Sequence, residues 1–371
     1  MDRSELLSLV LDNVNRTFGA GTVVRMGDAP CRDIETIPTG NVKLDLALTI
    51  GGLPKGRIIE IFGSEASGKT TVALQIVAAA QRAGGFAVYI DTEYAFNPDY
   101  AEKIGVDTKE LYVAQPNDGE EAFEVCEAMV RSGAIDVIVI DSVSALVPRA
   151  EIEASCEDCP TGLHARLMGQ GLRKLNAILS QSSCILVFIN QVRYDIRNGK
   201  EITTGGHALR YYSAIRLKIG RGVNLIRNKM VVGNRITIKV VKNKVGPPGG
   251  ECTLDLIYGT GISCEKEMLE VALEKQYIQK SGDYYYYGRA RIATGEVDAI
   301  RFLYDNHEVY EELDQLIHKG YVSRLIEEPT TDDNDDDAEI RRLLDIEMMW
   351  KETPGNGKGK DNEGFGCYPD R

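Results

Sequence analysis

The stretch GSEASGKTT, residues 63–71, stands between the apolar run RIIEIF (57–62) and the segment VALQIVAAAQR (72–82). It fits the pattern G-x-x-x-x-G-K-[ST] and has the strand, loop and helix context that this pattern requires. The fixed positions are Gly63, Gly68, Lys69 and Thr70. Glycine lets a loop wrap closely and expose successive backbone N–H groups, which donate hydrogen bonds to phosphate oxygens. The sequence therefore predicts an α/β fold with a phosphate-binding loop.

The loop residues have predicted roles toward a nucleotide. The helix that begins near Lys69 adds its positive end, Lys69 reaches the terminal phosphates as a point charge, and Thr70 offers its hydroxyl to Mg²⁺. A second magnesium anchor is Asp141, at the carboxyl end of DVIVID, where open α/β sheets bind ligands. Such an aspartate can also be only a helix cap, but the loop favours the metal role. The predicted contacts are Gly63, Ser64, Glu65, Ala66, Ser67, Gly68, Lys69, Thr70, Thr71 and Asp141.

Hydrolysis also needs a group that orients or activates the attacking water. The segment IDTEYAF places Glu93 just beyond the strand that ends at Ile90, and Asp91 is the competing carboxylate. A guanine-selecting [NT]-K-x-D element is not apparent, because KNKVG (242–246) has glycine at the acidic position. ATP is therefore the predicted substrate.

Apolar runs alternate with helical segments from about residue 37 to residue 260. The first four runs lie at 57–62, 86–91, 136–141 and 184–190. Continuous apolar strands separated by helices indicate a parallel sheet that is covered on both faces. Three later runs follow one another without a helix between them, which predicts antiparallel strands that extend the sheet. These runs lie at 214–220, 235–244 and 251–258.

The chain divides into four predicted parts. Residues 1–33 combine a helical segment with a short strand, TVVRM, that has no obvious local partner. Residues 34–264 form the α/β core, and residues 265–325 form a small C-terminal α/β domain with a hairpin in YYYYGRARIATG. Residues 326–371 form an acidic tail that is predicted to be disordered, apart from a candidate amphipathic helix in IRRLLDIEMMWK.

Composition excludes a wholly disordered chain. Hydrophobic residues make up 43% and charged residues 27%, no apolar span reaches the ~18 residues of a membrane helix, and the N-terminus lacks a signal-peptide layout. The net charge is −13, but the segment from Ile326 onward contributes 14 acidic and 6 basic side chains, so most of the acidity lies in the tail. Eight scattered cysteines predict reduced thiols in a cytoplasmic protein. Cys156 and Cys159 form a C-x-x-C, but two further zinc ligands are not evident.

Several segments together resemble the bacterial RecA recombinase family, in order and with few gaps from about residue 5 to residue 325. They are GGLPKGRIIEIFGSEASGKTT, YIDTEYAFNPDYAEKIGVD, SGAIDVIVIDSVSALVPRAEIE, FINQVR, TTGGHALRYYSAIRL and VVKNKVGPP. The resemblance implies a RecA-like P-loop NTPase core with a mainly parallel central sheet flanked by helices. It also implies an N-terminal helix/strand oligomerisation arm and a small α/β C-terminal domain that gathers duplex DNA.

The resemblance implies roles for individual residues. Glu93 matches the catalytic glutamate that activates water, Tyr100 the aromatic residue that stacks on adenine, and Gln191 the sensor that links the nucleotide to a DNA-binding loop. Lys242 and Lys244 match a pair that reaches across a subunit boundary to the neighbour's ATP. The predicted catalytic residues are Lys69, Glu93, Gln191, Lys242 and Lys244, whereas Tyr100 is a predicted nucleotide contact. Hydrolysis would then depend on assembly.

Two loops in that family hold single-stranded DNA along the filament axis, and they correspond here to residues 154–162 and 192–206. The predicted DNA contacts are Arg166, Arg173, Arg193, Arg197, Gly205 and Gly206, with Lys200 as further charge. The first loop departs from the family because it is acidic and has Thr161 where a larger apolar residue is usual. The second is short, and Ile196 and Ile202 are its remaining candidate wedges between bases.

The resemblance implies a DNA-dependent ATPase that forms filaments on single-stranded DNA and catalyses homologous pairing and strand exchange in recombinational DNA repair and the SOS response. The implied cofactors are ATP and Mg²⁺. The implied partners are single-stranded DNA, duplex DNA, further copies in a helical homo-polymer, a repressor protein and recombination mediators, with no membrane. The altered loops leave two alternatives: a regulatory or filament-forming paralogue that binds ATP and DNA without strand exchange, and a hexameric helicase-type motor.

Overall fold

The computed structural model describes residues 2–25, 34–154, 162–194, 199 and 201–326, with side chains as far as residue 319. Contacts divide the chain into one unit that ends at Glu35 and a second that begins at Thr36. Some predictions fall outside the described residues. They concern Thr161, the Cys156–Cys159 pair, Ile196, Arg197, Lys200 and the acidic tail.

The first unit contains helix α1 (Arg3–Phe18). A capping box fixes its start, because the Asp2 side chain accepts a hydrogen bond from the first turn and Glu5 accepts one from the Asp2 backbone N–H at 3.0 Å. The strand predicted in TVVRM is absent from residues 19–25. The side-chain amide of Asn15 instead bonds the N–H and C=O of Val23 at 3.0 and 3.1 Å. A strand with no partner has no ladder to satisfy its backbone groups, so a side chain satisfies them here.

The second unit is organised around a ten-stranded sheet. A small two-stranded sheet, β1 (Thr36–Ile37) with β2 (Leu53–Pro54), precedes it along the chain. The strands of the large sheet are β3 (Ile58–Gly63), β4 (Ala87–Asp91), β5 (Tyr112–Ala114), β6 (Val137–Asp141), β7 (Ile185–Tyr194), β8 (Glu201–Thr203), β9 (Ile215–Arg227), β10 (Met230–Asn243), β11 (Glu251–Ile257) and β12 (Gly261–Ile262). The helices of this part are α2 (Val42–Leu48), α3 (Lys69–Arg82), α4 (Pro98–Ile104), α5 (Gly119–Ser132), α6 (Arg149–Glu153), α7 (Leu163–Leu179) and α8 (Ala208–Tyr212).

The sheet confirms the parallel core and its antiparallel extension. The strand order is β12-β11-β10-β9-β3-β7-β6-β4-β5, and β8 pairs with the end of β7. Pairs from β9 through β3, β7, β6 and β4 to β5 are parallel, and those from β9 to β12 are antiparallel. Gly63 is paired with Gln191 and Asp91 with Asp141. The carboxyl ends of four strands therefore meet at one edge, where the predicted site residues lie.

Helices cover both faces of the sheet. Apolar residues of α3, such as Val72 and Ile76, pack in one buried cluster with Ile59 and Ile61 of β3. Apolar residues of α5 and α7 pack in a second cluster on the other face, which also includes Ile58. Side chains alternate between the faces of a strand, and this explains why β3 is buried along its whole length.

The hairpin of β9 and β10 is longer than the sequence predicts. The predicted strands end at residue 220 and resume at 235, but the observed strands continue to Arg227 and from Met230. A two-residue turn joins them, with φ of 52° at Asn228 and 64° at Lys229. Positive φ at both central residues matches the twist of a hairpin. The apolar side chains of this outer part, such as Val223, Ile226 and Met230, are about two-thirds exposed, so no buried face marks the strands in the sequence.

The C-terminal part contains α9 (Cys264–Glu274), β13 (Ile278–Ser281), β14 (Tyr284–Tyr287), β15 (Ala290–Thr294), α10 (Glu296–Asp305) and α11 (His307–Ile326). The predicted hairpin is confirmed as β14 and β15, and β13 adds a third antiparallel strand. Its apolar cluster includes Val42 of α2, so the small sheet and its helices pack on the core through that helix.

Polar contacts also connect helix α2 of the core with helix α11 of the C-terminal part. Buried Asp45 of α2 accepts a hydrogen bond from the Thr39 N–H at 2.9 Å, and its Oδ2 lies 3.5 Å from Nε2 of His318 on α11. Nδ1 of His318 lies 2.8 Å from the Asp314 carbonyl oxygen. A carbonyl only accepts, so Nδ1 donates. Asp45 is the main reason that the pKa of His318 is raised to about 9; Asp314 adds to the effect, and burial opposes it.

Candidate nucleotide-binding and catalytic site

The phosphate loop joins the end of β3 to the start of α3 and requires glycine at both ends. A Cβ on Gly63 would lie 2.2 Å from the Ile219 carbonyl oxygen, so no side chain fits there. Gly68 caps α3 with φ of 94°, and a Cβ there would lie 2.7 Å from Leu256 Cδ1. The left-handed conformation at Gly68 is disfavoured for other residues. At both ends of the loop, the glycine backbone packs directly against the adjacent strands without an intervening side chain.

Lys69 and Thr70 begin α3 and face different partners. Lys69 Nζ donates to the Ser64 carbonyl oxygen at 2.7 Å. Burial lowers the pKa of Lys69, and the carboxylates of Asp141, Glu93 and Glu65 oppose that shift. Among the described residues its one hydrogen-bond partner is this carbonyl, so the partly desolvated ammonium group can exchange that bond for phosphate oxygens.

Asp141 ends β6 beside Thr70. Thr70 Oγ1 and the Tyr89 hydroxyl both donate to Asp141 Oδ2, at 2.8 and 2.7 Å. Burial raises the pKa of Asp141, while these two hydrogen bonds act to lower it. Thr70 and Asp141 therefore present two oxygen ligands on one side of the loop. This donor set fits Mg²⁺, which takes one or two protein oxygens together with phosphate oxygens and water.

Glu93 and Asp91 have different surroundings. Asp91 is buried and accepts hydrogen bonds from the N–H groups of Ala95 and Phe96, at 3.2 and 3.1 Å, and from Gln115 Nε2 at 3.0 Å. These bonds hold the loop after β4. Glu93 is exposed, so Asp91 has a structural role and Glu93 is the carboxylate with access to water.

Two side chains contact Glu93 Oε1. Ser142 Oγ donates to it, and Gln191 Nε2 donates to it at 3.3 Å. Gln191 lies on β7, opposite Gly63 of the phosphate loop. The structure thus brings the predicted base and the predicted sensor into direct contact.

Tyr100 of α4 lies beside the start of α3. Its hydroxyl is 2.8 Å from Thr71 Oγ1. A cavity of about 100 Å³ opens here, lined by Thr70, Leu74, Tyr89, Asp91, Glu93, Ala95, Phe96, Asn97, Tyr100 and Asp141. The predicted adenine contact, metal ligands and base therefore share one cavity.

Lys242 and Lys244 lie at the other end of the strands. Lys242 Nζ donates to the carbonyl oxygens of Arg210 and Tyr211 at 2.7 and 3.2 Å, and Lys244 Nζ donates to that of Tyr211 at 2.9 Å. Lys242 pairs with Arg216 on β9, which in turn pairs with Glu60, three residues before Gly63. The lysines are thus displaced toward the amino ends of the parallel strands.

Burial, together with the charges of Lys244 and Arg216, lowers the pKa of Lys242 to about 8. Holding these cations together is electrostatically unfavourable, and an anion beside them would relieve the repulsion.

The second predicted DNA loop begins next to Gln191. Strand β7 continues from Gln191 to Arg193, where β8 pairs with it. Arg166 and Arg173 lie on α7 with exposed side chains, as does Arg193 on β7. Gly205 and Gly206 have φ of 84° and 74°, which glycine adopts without strain. Ile202 on β8 is 47% exposed.

Comparison with known proteins agrees with this geometry. The RecA N-terminal domain model matches residues 5–263, and the RecA C-terminal domain model matches residues 266–322. The chain belongs to the RecA family. It is 48% identical to Protein RecA of Rubrobacter xylanophilus over 322 residues, which cover 86% of this chain and 94% of the relative. It is 50% identical to that of Mycobacteroides abscessus, with 85% and 92% covered, and 46% identical to that of Macrococcus caseolyticus, with 94% and 99% covered.

As a member of the RecA family, the chain is a recombinase of DNA repair and a DNA-dependent ATPase. It binds nucleotide and DNA and forms filaments with copies of itself. No described helix combines the length and the apolar composition needed to cross a bilayer.

Sequence reasoning missed Tyr89, Ser142 and Ser144. Tyr89 is part of the apolar run FAVYID, where an aromatic residue normally indicates only core packing. Ser142 follows Asp141 directly, and Ser144 Oγ lies 2.7 Å from Ser142 Oγ. A serine directly after an aspartate that ends a strand at the ligand-binding edge of the sheet can indicate a site residue, although many serines at such positions only form turns.

Proposed function

We propose that the chain binds ATP with Mg²⁺ at residues 63–71 and hydrolyses the ATP at a boundary between two copies. The filament forms on single-stranded DNA and drives homologous pairing and strand exchange. The contact of Gln191 with Glu93 carries this proposal. Gln191 touches the candidate base and lies two residues from Arg193, at the start of the second loop. A change at the nucleotide therefore has a short covalent path to the DNA.

The loop residues hold the phosphates through backbone N–H groups and Lys69, which turns from the Ser64 carbonyl to the terminal phosphates. Thr70 and Asp141 hold Mg²⁺, which neutralises charge on the phosphate oxygens when bound. Tyr100 stacks on adenine. Glu93 is exposed and accepts the proton of the attacking water, while Asp91 is engaged by the loop after β4.

In the assembled filament, a neighbouring copy supplies two cations that the site of a single chain lacks. Lys242 and Lys244 are displaced from the phosphate loop of their own chain, and they lie close together because both donate to the Tyr211 carbonyl oxygen. We propose that they reach the ATP of the neighbouring copy and stabilise charge on the phosphoryl group during transfer. An unassembled chain would then lack two cations at its site.

The first unit, which ends at Glu35, contains the predicted oligomerisation arm (1–33) and offers a surface for assembly. Leu6, Leu7 and Val10 of α1 are each more than half exposed, which is unusual for three aliphatic residues on one helix. We propose that α1 and the segment after it pack on an adjacent copy. A contact between two different surfaces repeats without closing and builds a helical filament.

The DNA loops use exposed arginines. Arg166, Arg173 and Arg193 would contact phosphates, joined by Arg197 from outside the described residues. Gly205 and Gly206 would offer backbone N–H groups. We expect duplex DNA, a repressor protein and recombination mediators as further partners and a cytoplasmic location. The acidic tail would compete by charge with duplex DNA.

The Glu93→Gln variant tests the catalytic assignment. It keeps a hydrogen-bond acceptor for Ser142 and Gln191 but cannot take a proton, so ATP turnover should fall by about 10²-fold or more with ATP binding and filaments retained. Glu110→Gln, which removes an exposed carboxylate elsewhere, is the matched control and should leave turnover unchanged. Unchanged turnover in Glu93→Gln would place the base elsewhere.

A second candidate is a paralogue that binds ATP and DNA without strand exchange, favoured by the acidic first loop and the short second loop. A displacement-loop assay separates the two: joint molecules support the recombinase, and filaments without joint molecules support the paralogue. The helicase alternative has less support, because the match includes the RecA C-terminal domain. Electron micrographs showing only closed rings would favour it.

A further inference from the structure

Two serine hydroxyl groups form a hydrogen-bonded chain that ends at the carboxylate of Glu93, the proposed base. Ser144 Oγ lies 2.7 Å from Ser142 Oγ, which in turn bonds Glu93 Oε1. Ser142 is buried, with 1% of its surface exposed, whereas Ser144 is half-buried. Neither serine was among the predicted site residues.

The chemistry of the three groups determines which group donates in each hydrogen bond. An ionised carboxylate only accepts hydrogen bonds, so Ser142 must give its single proton to Glu93. The bond between the two serines therefore needs the proton of Ser144. Successive hydroxyl donors polarise one another, which strengthens the bond that reaches the carboxylate.

The main chain holds Ser142 in place. The Ser142 carbonyl oxygen accepts a hydrogen bond from Thr92 Oγ1 at 3.0 Å, and the Thr92 N–H donates to the Asp141 carbonyl oxygen at 2.9 Å. The ends of β4 and β6 are thus tied together directly beneath Glu93. An exposed glutamate has many rotamers, and a fixed donor reduces that freedom.

The short turn that carries Ser144, residues 143–145, lies against Gly205 of the second predicted DNA loop and against helix α7, which follows the first. His164, at the start of α7 just after the first loop, contacts the Val143 carbonyl oxygen through Nε2 at 3.0 Å. A Cβ on Gly205, in the second loop, would lie 3.0 Å from Val143 Cγ1. Movement of Gly205 or of the start of α7 would therefore displace the turn that carries Ser144.

We propose that Ser144 and Ser142 are positioning residues that form a hydroxyl relay to Glu93. The relay holds Oε1 and leaves Oε2 for the proton of the attacking water. Within the described ranges, Oε2 accepts no hydrogen bond. The inference rests on the proposed role of Glu93 as the base. It adds that DNA bound at the loops affects hydrolysis through the turn at 143–145 as well as through Gln191.

A double-mutant cycle with Ser142→Ala and Ser144→Ala tests the relay. The ATPase rate of the full chain on single-stranded DNA is measured at saturating and limiting ATP. Loss of one hydrogen bond that supports the transition state should lower kcat about three- to ten-fold in Ser144→Ala, with KM for ATP unchanged. Ser142→Ala should lower kcat at least as much. The double variant should match Ser142→Ala, since Ser144 acts only through Ser142.

Additive losses, a raised KM with unchanged kcat, or unchanged kcat in Ser144→Ala would each overturn the relay. Ser180→Ala is the matched control, because its exposed hydroxyl bonds the Ala177 carbonyl oxygen at the far end of α7. Glu93→Gln is measured in parallel. If it abolishes turnover and Ser144→Ala has no effect, the relay fails and the proposed base stands. If Glu93→Gln keeps turnover, the base assignment fails and the relay with it.

Discussion

We expect the contact between helix α11 and the core at His318 to depend on pH. Its ring lies between Asp45 of α2, at 3.5 Å, and Asp314 of its own helix. Asp45 is 2% exposed, so the carboxylate is desolvated and depends on its partners. Replacing His318 by glutamine removes the charge and keeps a polar side chain of similar size.

The pKa values determine the size and the direction of the effect. The pKa of His318 rises from 6.5 to about 9, and each unit corresponds to about 1.4 kcal/mol, which sets a ceiling of about 3 kcal/mol. Because the folded-state value is the raised one, the stabilisation is complete below about pH 6.5 and is lost as the pH rises through 9. Solvent screening of the partly exposed ring lowers the expected value to about 2 kcal/mol.

Urea unfolding followed by far-UV circular dichroism tests this. The difference in free energy of unfolding between the native chain and His318→Gln should be about 2 kcal/mol near pH 6 and should fall below about 1 kcal/mol near pH 10. His307→Gln is the control, since His307 lies on the same helix with its side chain 69% exposed, and its difference should stay near zero. A difference for His318→Gln that is the same at every pH would refute the charge argument and indicate packing alone.

Three further predictions concern ligands. Gly63→Ala places a Cβ against the Ile219 carbonyl oxygen, so ATP affinity measured by calorimetry should fall at least about tenfold; unchanged affinity would contradict the loop geometry. Tyr100→Phe removes the 2.8 Å bond to Thr71 but keeps the ring, so KM for ATP should rise only about two- to five-fold, and a larger rise would mean that the hydroxyl contacts the nucleotide. Arg193→Ala should reduce the slope of log affinity for single-stranded DNA against log salt by about one; an unchanged slope would exclude that phosphate contact.

The strand, loop and helix around Gly63 could be predicted because each of these elements depends on nearby residues. Apolar runs indicate buried strands, and the spacing of glycine and lysine indicates the phosphate loop. The antiparallel extension could be predicted for the same reason, although the β9–β10 hairpin was underestimated because its outer half has few buried side chains to give a periodic signal.

Contacts between distant residues could not be predicted from local patterns. The choice between Glu93 and Asp91 depends on Gln115 and on backbone N–H groups that only the folded loop brings to Asp91. The contact of Gln191 with Glu93 follows from the order of β3, β7, β6 and β4, which the sequence does not state. The strand in TVVRM is absent from residues 22–25 of the single chain, where the Asn15 side chain pairs with the Val23 backbone. Its pairing with an adjacent copy stays a prediction.

The ATPase rate per molecule, measured over a wide range of protein concentration with and without single-stranded DNA, tests the central proposal most directly. In the proposed arrangement Lys242 and Lys244 of another copy complete each site, so the rate per molecule should be low in dilute, DNA-free solution and should rise steeply with self-association or DNA. A rate that is the same at every concentration and unaffected by DNA would show that a single chain contains the whole catalytic site.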